Sequence, residues 1–299
     1  MRNLPSGDRR STPRRRRSLV AIVAAVVSAT VLAVAAPAFA SAPAPSASSG
    51  TATSVEQGRS ATKPTIVLVH GAWAGASSFD PVTGLLQAQG YNVVNAPNPL
   101  RGPTDDIAGV VAYVRAVHPE PVILVGHSYG GMVITGAANE LPNVKGLVYI
   151  DAFAPDTGES ALSLTQQNPG SLLSPSVFQS VDYPKQPLGD HDTYIPVDRY
   201  KEIFAANVPT AITKVLAADQ SPAALFALVG TLTSTPAWKS LPSWFFIGTD
   251  DKVLPPATQR FMAKRAGGTI VEGSAPHLAM YGSPFTVAQL ISRAAKSVG

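Results

Sequence analysis

Ser128 lies in a sequence setting typical of an activated nucleophile. The motif Gly126-His127-Ser128-Tyr129-Gly130 follows an apolar run and precedes a stretch compatible with a helix. A serine on a sharp turn between a strand and a helix has a strained backbone, and side chains at the flanking glycine positions would collide with their neighbours. The N–H groups at the start of the following helix would face negative charge that develops near the serine. The motif therefore predicts nucleophilic attack by Ser128, and the alternative is a purely structural turn.

A serine hydroxyl is a weak nucleophile at neutral pH, so it needs a base within hydrogen-bond reach and a group that orients the base. In folds built around such a turn, the acid and then the histidine follow the serine along the chain. Two histidines follow Ser128, namely His191 and His277. His191 lies in a polar, irregular segment, whereas His277 lies between the last apolar run and the last helical pattern. We therefore predict His277 as the base.

Two adjacent aspartates, Asp250 and Asp251, lie in the segment that follows the apolar run Trp244–Ile247 and are candidates for the acid. Neighbouring side chains on a loop usually diverge. We therefore expect one of them to reach the imidazole and the other to face solvent, and spacing alone leaves the choice open.

Two backbone N–H groups should stabilise the oxyanion that forms during attack on a carbonyl carbon. Tyr129, the residue after the nucleophile, is predicted to supply one of them. The other is expected from the small, glycine-containing loop His70–Gly75, in which Ala72 is the predicted donor. His70 itself is predicted to pack or hydrogen-bond behind this loop, and His118 and His127 are also expected to be mainly structural.

The elements that must position these residues are six short apolar runs. They are Thr65–Val69, Tyr91–Asn95, Val122–Val125, Val144–Ile150, Trp244–Ile247 and Thr269–Val271. Most are continuous and rich in valine and isoleucine, as is typical of strands buried on both faces of a parallel sheet. Helical patterns alternate with them, so the sequence predicts an α/β fold with a mainly parallel sheet of about six strands flanked by helices.

Residues 157–240 interrupt the alternation with helical pieces and no convincing strand, which predicts a helical cap inserted before the acid-bearing strand.

The N-terminal 40 residues have the pattern of an export signal. A basic segment ends at Arg17, an apolar run follows from Leu19 to Ala36, and Ala38-Phe39-Ala40 supplies a small-x-small cleavage pattern. We expect cleavage near Ala40 and secretion without a stable membrane anchor, and the alternative is a retained anchor. The arginine run also allows export by the twin-arginine route instead of the general one.

The domain organisation and charge follow from this boundary. Residues 41–63 are rich in Ser, Ala and Pro and predict a flexible linker, and residues 64–299 are expected to form the folded domain. The formal net charge is +4, but residues 1–40 hold seven arginines and a single acidic residue, so the remainder is slightly acidic. This balance argues against a nucleic-acid partner, which would need clustered basic residues on the domain. The sequence has no cysteine, which excludes disulfides and thiolate metal sites.

Three segments together resemble the α/β-hydrolase superfamily. They are the strand followed by His-Gly-Ala-Trp at 70–73, the Gly-His-Ser-Tyr-Gly-Gly turn at 126–131, and the Gly-x-x-Asp-x-x-x-Pro-Pro stretch at 248–256. The chain is most similar to the branch that holds plant methylesterases, hydroxynitrile lyases and bacterial carboxylesterases of the pyrethroid-hydrolase type. In that branch the acid lies three residues after the glycine, so the resemblance implies Asp251. The hairpin that opens many superfamily sheets is missing here, and this branch similarly has a shorter sheet.

The resemblance and the motifs together imply a serine esterase that acts on small to medium uncharged carboxylic esters through an acyl-enzyme on Ser128, with no cofactor or metal. The mainly apolar cap segment supports a hydrophobic small-molecule substrate. One alternative is a lyase of the hydroxynitrile type, for which the resemblance implies a cap lysine near the base. Another is a hydrolase of C–C bonds that uses the same three residues. An alternative from a different class is a non-catalytic binding protein on the same fold. The sequence indicates neither the physiological substrate nor the oligomeric state.

Overall fold

The structure is a computed structural model, and it describes residues 63–299. The predicted signal peptide and nearly all of the predicted linker lie outside the described residues. Among the helices of residues 63–299, none is both long enough and apolar enough to cross a membrane.

Nine strands are found in residues 63–299, and six of them correspond to the six apolar runs of the sequence. The strands are β1 (Thr65–Val69), β2 (Val93–Asn95), β3 (Val122–His127), β4 (Val144–Ile150), β5 (Gln179–Val181), β6 (Asp192–Tyr194), β7 (Ala223–Ala224), β8 (Ser243–Gly248) and β9 (Thr269–Gly273). The large sheet has the order β2-β1-β3-β4-β8-β9, and every neighbouring pair in it is parallel. This confirms the predicted mainly parallel sheet of about six strands.

The centre of the sheet is buried on both faces. All residues of β1 and β3 are buried, and so is β4 except for Lys145. Strands in this position have no face in contact with water, which explains why their sequences are continuous apolar runs and do not alternate.

Helices cover the sheet and form most of the cap. They are α1 (Asp80–Ala88), α2 (Pro103–Val117), α3 (Tyr129–Ala137), α4 (Ala161–Thr165), α5 (Val197–Phe204), α6 (Thr210–Ala218), α7 (Leu225–Val229), α8 (Pro256–Arg265), α9 (Ala279–Gly282) and α10 (Pro284–Val298). Proline lies in the first turn of α1, α2, α8 and α10, where its fixed φ suits a helix and its missing N–H has no intrahelical partner to lose. The apolar face of α10 is buried through Leu290, Ile291 and Ala294, as the sequence predicted.

The segment between β4 and β8 contains α4–α7, but it is not purely helical. Strands β5, β6 and β7 form a separate three-stranded antiparallel sheet in it. The expectation that this segment holds no strand was therefore wrong. Each of these strands has only two or three residues, which is too short for an alternating pattern to be visible in the sequence.

The two ends of the cap segment meet at one place. The Gly158 N–H donates to the Leu232 carbonyl at 2.8 Å, and the Leu232 N–H donates to the Glu159 carbonyl at 3.0 Å. A bridge between Ser160 and Thr231 continues this pairing. The chain therefore leaves the core to form the cap and returns from the cap at adjacent positions.

Candidate active site

The predicted site residues all follow carboxyl ends of parallel strands. Ala72 comes after β1, Ser128 after β3, Asp251 after β8 and His277 after β9. Since these ends lie along one edge of a parallel sheet, the topology brings residues that are distant in sequence to one place.

Ser128 occupies a strained turn between β3 and α3. Its φ of 51° and ψ of −124° lie in a region that residues other than glycine rarely adopt. Backbone crowds both flanking glycines: a Cβ at Gly126 would lie 2.6 Å from the Gly131 nitrogen, and a Cβ at Gly130 would lie 2.2 Å from the Val69 oxygen. This agrees with the steric reason given for the glycines of the motif.

Ser128, His277 and Asp251 form a continuous hydrogen-bonded chain. The Ser128 Oγ lies 2.9 Å from the His277 Nε2, and the His277 Nδ1 lies 2.9 Å from the Asp251 Oδ2. All three side chains are buried, which limits competition from water for these hydrogen bonds. The arrangement allows the imidazole to take the hydroxyl proton while the carboxylate holds the ring in one tautomer.

The Asp251 carboxylate is fixed by three further donors. Its Oδ1 accepts from the backbone N–H groups of Val253 at 2.7 Å and Leu254 at 2.9 Å. Its Oδ2 accepts from the Gln259 Nε2 at 2.8 Å. Gln259 lies on α8, and the sequence analysis missed it because a buried glutamine on a helix carries no signal of its partner.

The neighbouring Asp250 has a different environment. It is exposed, and its Oδ2 accepts a hydrogen bond from the Ser274 Oγ at 2.6 Å. The structure therefore places Asp251 beside His277 and Asp250 at the surface, which is the choice that spacing alone left open.

The backbones of Ala72 and Tyr129 flank Ser128. Both residues line the same cavity as Ser128, and Tyr129 is the first residue of α3, where the N–H has no intrahelical acceptor. The loop after β1 lies so close that a Cβ at Gly71 would be 2.6 Å from the Ser128 Cβ and 2.9 Å from the His127 oxygen. These positions suit the predicted role of the two N–H groups as donors to an oxyanion.

A buried carboxylate, which the sequence analysis did not single out, anchors the Tyr129 side chain. The Tyr129 hydroxyl donates to the Asp106 Oδ2 at 2.7 Å. Asp106 is fully buried in the first turn of α2 and also accepts from the N–H groups of Arg101 and Gly102. Burial raises the pKa of Asp106, and these three hydrogen bonds and the charge of Arg101 oppose the shift. The network ties the residue after the nucleophile to the start of α2.

A second buried acid, Asp151, lies behind the site at the end of β4. Its Oδ1 accepts from the Gly248 N–H at 2.6 Å. Burial, and then the nearby Asp251 carboxylate, raise the pKa of Asp151 well above its ordinary value. Nothing in the sequence around Asp151 distinguished it from a surface loop aspartate.

His70 and His127 pack behind the candidate nucleophile. The His70 carbonyl accepts from the Asn98 Nδ2 at 2.8 Å, and its ring lies against the Gly71 carbonyl. The His127 Nε2 donates to the His277 carbonyl at 3.0 Å, and burial lowers the pKa of His127 well below its ordinary value. Neither histidine contacts the Ser128 hydroxyl, so both have the structural positions expected from the sequence.

The other two histidines lie away from the site. The His118 Nδ1 lies 3.0 Å from the Glu120 carboxylate at the end of α2. His191 lies in the cap and is not among the residues that line the cavity beside Ser128. His277 is therefore the histidine that the structure brings to Ser128.

A cavity lies beside Ser128; about 480 Å³ of its space, part of it open to solvent, is free of protein atoms. Its walls are mainly apolar and include Trp73, Phe153, Leu162, Leu173, Phe178 and Leu228. The rings of Trp73 and Phe178 stack with centroids 5.1 Å apart. Thr165, Gln166 and Ser174 are polar residues of the wall, and no charged side chain lines it. In the described part of the chain, no three His, Cys, Asp or Glu side chains are grouped to hold a metal ion.

The chain belongs to the α/β-hydrolase family, whose model matches residues 66–290. It is 30% identical over 258 residues to a pyrethroid hydrolase of Sphingobium wenxiniae, covering 77% of this chain and 87% of that protein. It is 38% identical over 110 residues to a carbendazim hydrolyzing esterase of a Nocardioides species, but this match spans 33% of the chain and less than half, 46%, of that relative. Methylesterase 1 of Arabidopsis thaliana is 26% identical over 223 residues, 67% of this chain and 83% of its own. These relatives confirm the predicted resemblance to the branch of methylesterases and pyrethroid hydrolases. They also confirm the prediction that the protein is a carboxylic ester hydrolase.

Solved structures show the same fold. Polyneuridine aldehyde esterase superimposes with a TM-score of 0.66 at 20% identity, covering 78% of this chain and 99% of that one. This similarity shows that the two chains share the same fold.

Proposed function

We propose that the protein hydrolyses small to medium uncharged carboxylic esters through an acyl-enzyme on Ser128. The observation that carries the proposal is the buried hydrogen-bonded chain from Ser128 through His277 to Asp251, in which both hydrogen bonds measure 2.9 Å between nitrogen and oxygen. Ser128 lies at the wall of an apolar cavity that no charged side chain lines.

The geometry supports a two-stage mechanism. The Ser128 Oγ attacks the ester carbonyl while the His277 Nε2 takes its proton, and Asp251 stabilises the imidazolium that results. The oxyanion faces the N–H groups of Ala72 and Tyr129. His277 then gives the proton to the departing alcohol, which leaves the acyl group on Ser128. A water molecule, deprotonated by His277, attacks the acyl-enzyme, and the acid product leaves as the serine is restored.

The cavity supports the substrate class. Its walls are mostly apolar with a few polar groups, as is typical of sites that bind small molecules. An anionic or cationic substrate would lose its hydration without a charged partner on the wall. Neutral esters with short to medium hydrophobic chains fit these walls best.

The positions of the cap lysines favour hydrolysis over lyase chemistry. None of Lys185, Lys201, Lys214 and Lys239 lines the cavity beside Ser128. Lys201 donates to the Val208 carbonyl, and Lys239 pairs with Asp156 at 2.8 Å. The lysine that the resemblance implied for a hydroxynitrile lyase is therefore not at this site in the described residues.

A panel of esters tests the proposal. We expect hydrolysis of 4-nitrophenyl butyrate to exceed that of the acetate several-fold in kcat/KM, since each buried methylene contributes up to about 0.8 kcal/mol. Rates should then fall through the octanoate to the palmitate. Ser128→Ala should abolish both turnover and labelling by a fluorophosphonate probe.

Fastest turnover on palmitate or on an anionic ester would contradict the substrate class, and cleavage of mandelonitrile without ester hydrolysis would point to the lyase. Turnover of a 1,3-diketone alone would point to C–C hydrolysis, and absence of labelling would favour a binding protein.

We also propose that the protein is exported and cleaved near Ala40. The support is the order of basic segment, apolar run and Ala38-Phe39-Ala40 in the sequence. Mass analysis of protein from the culture medium should give an N-terminus at or close to Ser41. A full-length product that stays in the membrane fraction would contradict the proposal.

A further inference from the structure

Trp73, the residue directly after the proposed oxyanion donor Ala72, has an unfavourable backbone conformation. Its φ is 54°, in the left-handed region that residues other than glycine and asparagine rarely occupy. Such a conformation persists only where surrounding contacts impose it. Because Trp73 shares a peptide bond with Ala72, its conformation also sets the direction of the short loop that carries the Ala72 N–H group.

Two cap residues bind Trp73, one at its backbone carbonyl and one at its indole ring. The Tyr200 hydroxyl on α5 donates to the Trp73 carbonyl at 3.0 Å. The Trp73 indole Nε1 donates to Thr193 on β6, with 2.9 Å to its carbonyl and 3.1 Å to its Oγ1. Trp73, Thr193 and Tyr200 are each at most 2% exposed, so water does not replace these partners.

The rest of the cap holds these two residues in place. The Thr193 hydroxyl donates to the Ala223 carbonyl at 2.7 Å, which fixes it across β6 and β7. Tyr200 stacks on Phe204 with ring centroids 4.9 Å apart. The Phe204 ring in turn lies perpendicular to the His277 ring with centroids 5.1 Å apart, and the Phe204 carbonyl accepts from the Leu278 N–H at 3.0 Å. The cap therefore contacts the oxyanion loop and the base loop through one helix.

The second proposed donor is tied to the same strand of the cap. Asp106, which holds the Tyr129 hydroxyl, also accepts from the Arg101 N–H at 3.0 Å. The Arg101 guanidinium lies 2.8 Å from the Asp192 carboxylate on β6. Two adjacent residues of β6 thus connect to the two proposed oxyanion donors. Thr193 contacts Trp73, which follows Ala72. Asp192 is linked to Tyr129 through Arg101 and Asp106.

We propose that Thr193 and Tyr200 are positioning residues, which act through Trp73 to hold the Ala72 N–H toward the oxyanion. The inference rests on the proposed function of Ala72 and Ser128. It assigns the cap a part in the chemical step, in addition to forming the wall of the cavity.

Matched variants test this assignment. Tyr200→Phe and Thr193→Val remove single hydroxyl groups, while Thr193→Ser keeps the hydroxyl. Tyr91→Phe is the control, because Tyr91 is also buried and its hydroxyl contacts Ser292 at 3.2 Å, remote from Ser128. We expect kcat to fall roughly 5- to 10-fold for Tyr200→Phe, the effect of one lost hydrogen bond expressed in the transition state. The decrease for Thr193→Val should be smaller, about 2- to 5-fold, because the Thr193 carbonyl still accepts from the Trp73 indole. KM should change less than about twofold, and Thr193→Ser and Tyr91→Phe should keep kcat close to that of the parent.

A pair of inhibitors separates positioning from a general structural effect. A trifluoromethyl ketone forms a tetrahedral oxyanion on the serine, whereas the methyl ketone of the same shape binds without forming it. For Tyr200→Phe and Thr193→Val, the trifluoromethyl ketone should lose affinity by the same factor as kcat, and the methyl ketone should bind unchanged. Equal losses for both inhibitors would overturn the proposal in favour of a structural role.

The remaining outcomes are also decisive. If the parent is active and these two variants behave like Tyr91→Phe, the positioning role is wrong and the proposed function stands. If Ser128→Ala is as active as the parent, the proposed function itself fails. Melting temperatures identify a variant that does not fold. If Thr193→Val does not fold, Trp73→Phe tests the same contact by removing the indole N–H while keeping an aromatic ring. The hydrogen bond from Tyr200 to the backbone carbonyl of residue 73 is unaffected by that change. Retention of parental kcat by a folded Trp73→Phe would overturn the assignment of Thr193.

Discussion

Replacing Asp151 with asparagine should make the protein more stable, and the gain should grow with pH. Asp151 is fully buried at the end of β4. Burial and the nearby Asp251 carboxylate raise the pKa of Asp151 well above its value in the unfolded chain. The folded protein therefore keeps a proton on this group that the unfolded chain releases. Asparagine has no proton to lose, and its carbonyl can still accept from the Gly248 N–H group.

The sign and size follow from proton linkage. A group whose pKa is raised by folding contributes stability that is fully present below its unfolded pKa, about 4 for aspartate, and that is lost as pH rises toward the folded pKa. Each pH unit within this window costs the parent about 1.4 kcal/mol relative to Asp151→Asn. The difference between the two proteins should be small near pH 4, rise with this slope, and reach a plateau at the pKa of Asp151 in the folded protein.

Urea unfolding at a series of pH values from 4 to 9 measures the difference. Asp250→Asn is the control, because Asp250 is an exposed carboxylate on the same loop as Asp251; its difference from the parent should stay small at every pH. A difference for Asp151→Asn that is independent of pH, or one that favours the parent increasingly as pH rises, would show that Asp151 is ionised in the folded protein. The electrostatic account of this buried pair would then be wrong.

Two further substitutions probe the site directly. Asp251→Asn should lower kcat by as much as about 10⁴, because an amide favours the wrong tautomer of His277, while Asp250→Asn should be close to the parent; steady-state kinetics with the same ester would reveal a reversed order. Gly71→Ala should lower kcat/KM by roughly 10- to 100-fold, since its Cβ would lie 2.6 Å from the Ser128 Cβ. Gly84→Ala, where a Cβ meets nothing within 4 Å, is the matched control, and equal activity of the two variants would contradict the steric argument.

The features that the sequence predicted are those with a local signal. The buried strands of the large sheet are continuous apolar runs, and the turn at Ser128 needs glycines on both sides, so both are visible in neighbouring residues. The choice of His277 followed from its place after the last strand. The choice between Asp250 and Asp251 had no local basis, and it needed the family resemblance before the structure separated the two side chains.

The missed features depend on contacts between distant segments. Gln259, Asp106 and Asp151 each bond to a group on another element, and a buried polar residue looks the same in a sequence as an exposed one. The small cap sheet was missed for a related reason. Its two- and three-residue strands are held by pairing across the cap, and they have no apolar pattern of their own.

The paired ends of the cap, where Gly158 and Leu232 hydrogen-bond, make this segment an exchangeable module. Because the chain leaves and re-enters the core at one point, a cap from a related hydrolase can be grafted by matching a single junction. Such a chimera must also keep the contacts that the cap makes with Trp73. A donor cap that lacks hydroxyl groups at the positions of Thr193 and Tyr200 should transfer its ligand preference while turning over slowly. Restoring those two hydroxyls should then recover the rate, so recognition and reactivity can be engineered separately in this scaffold.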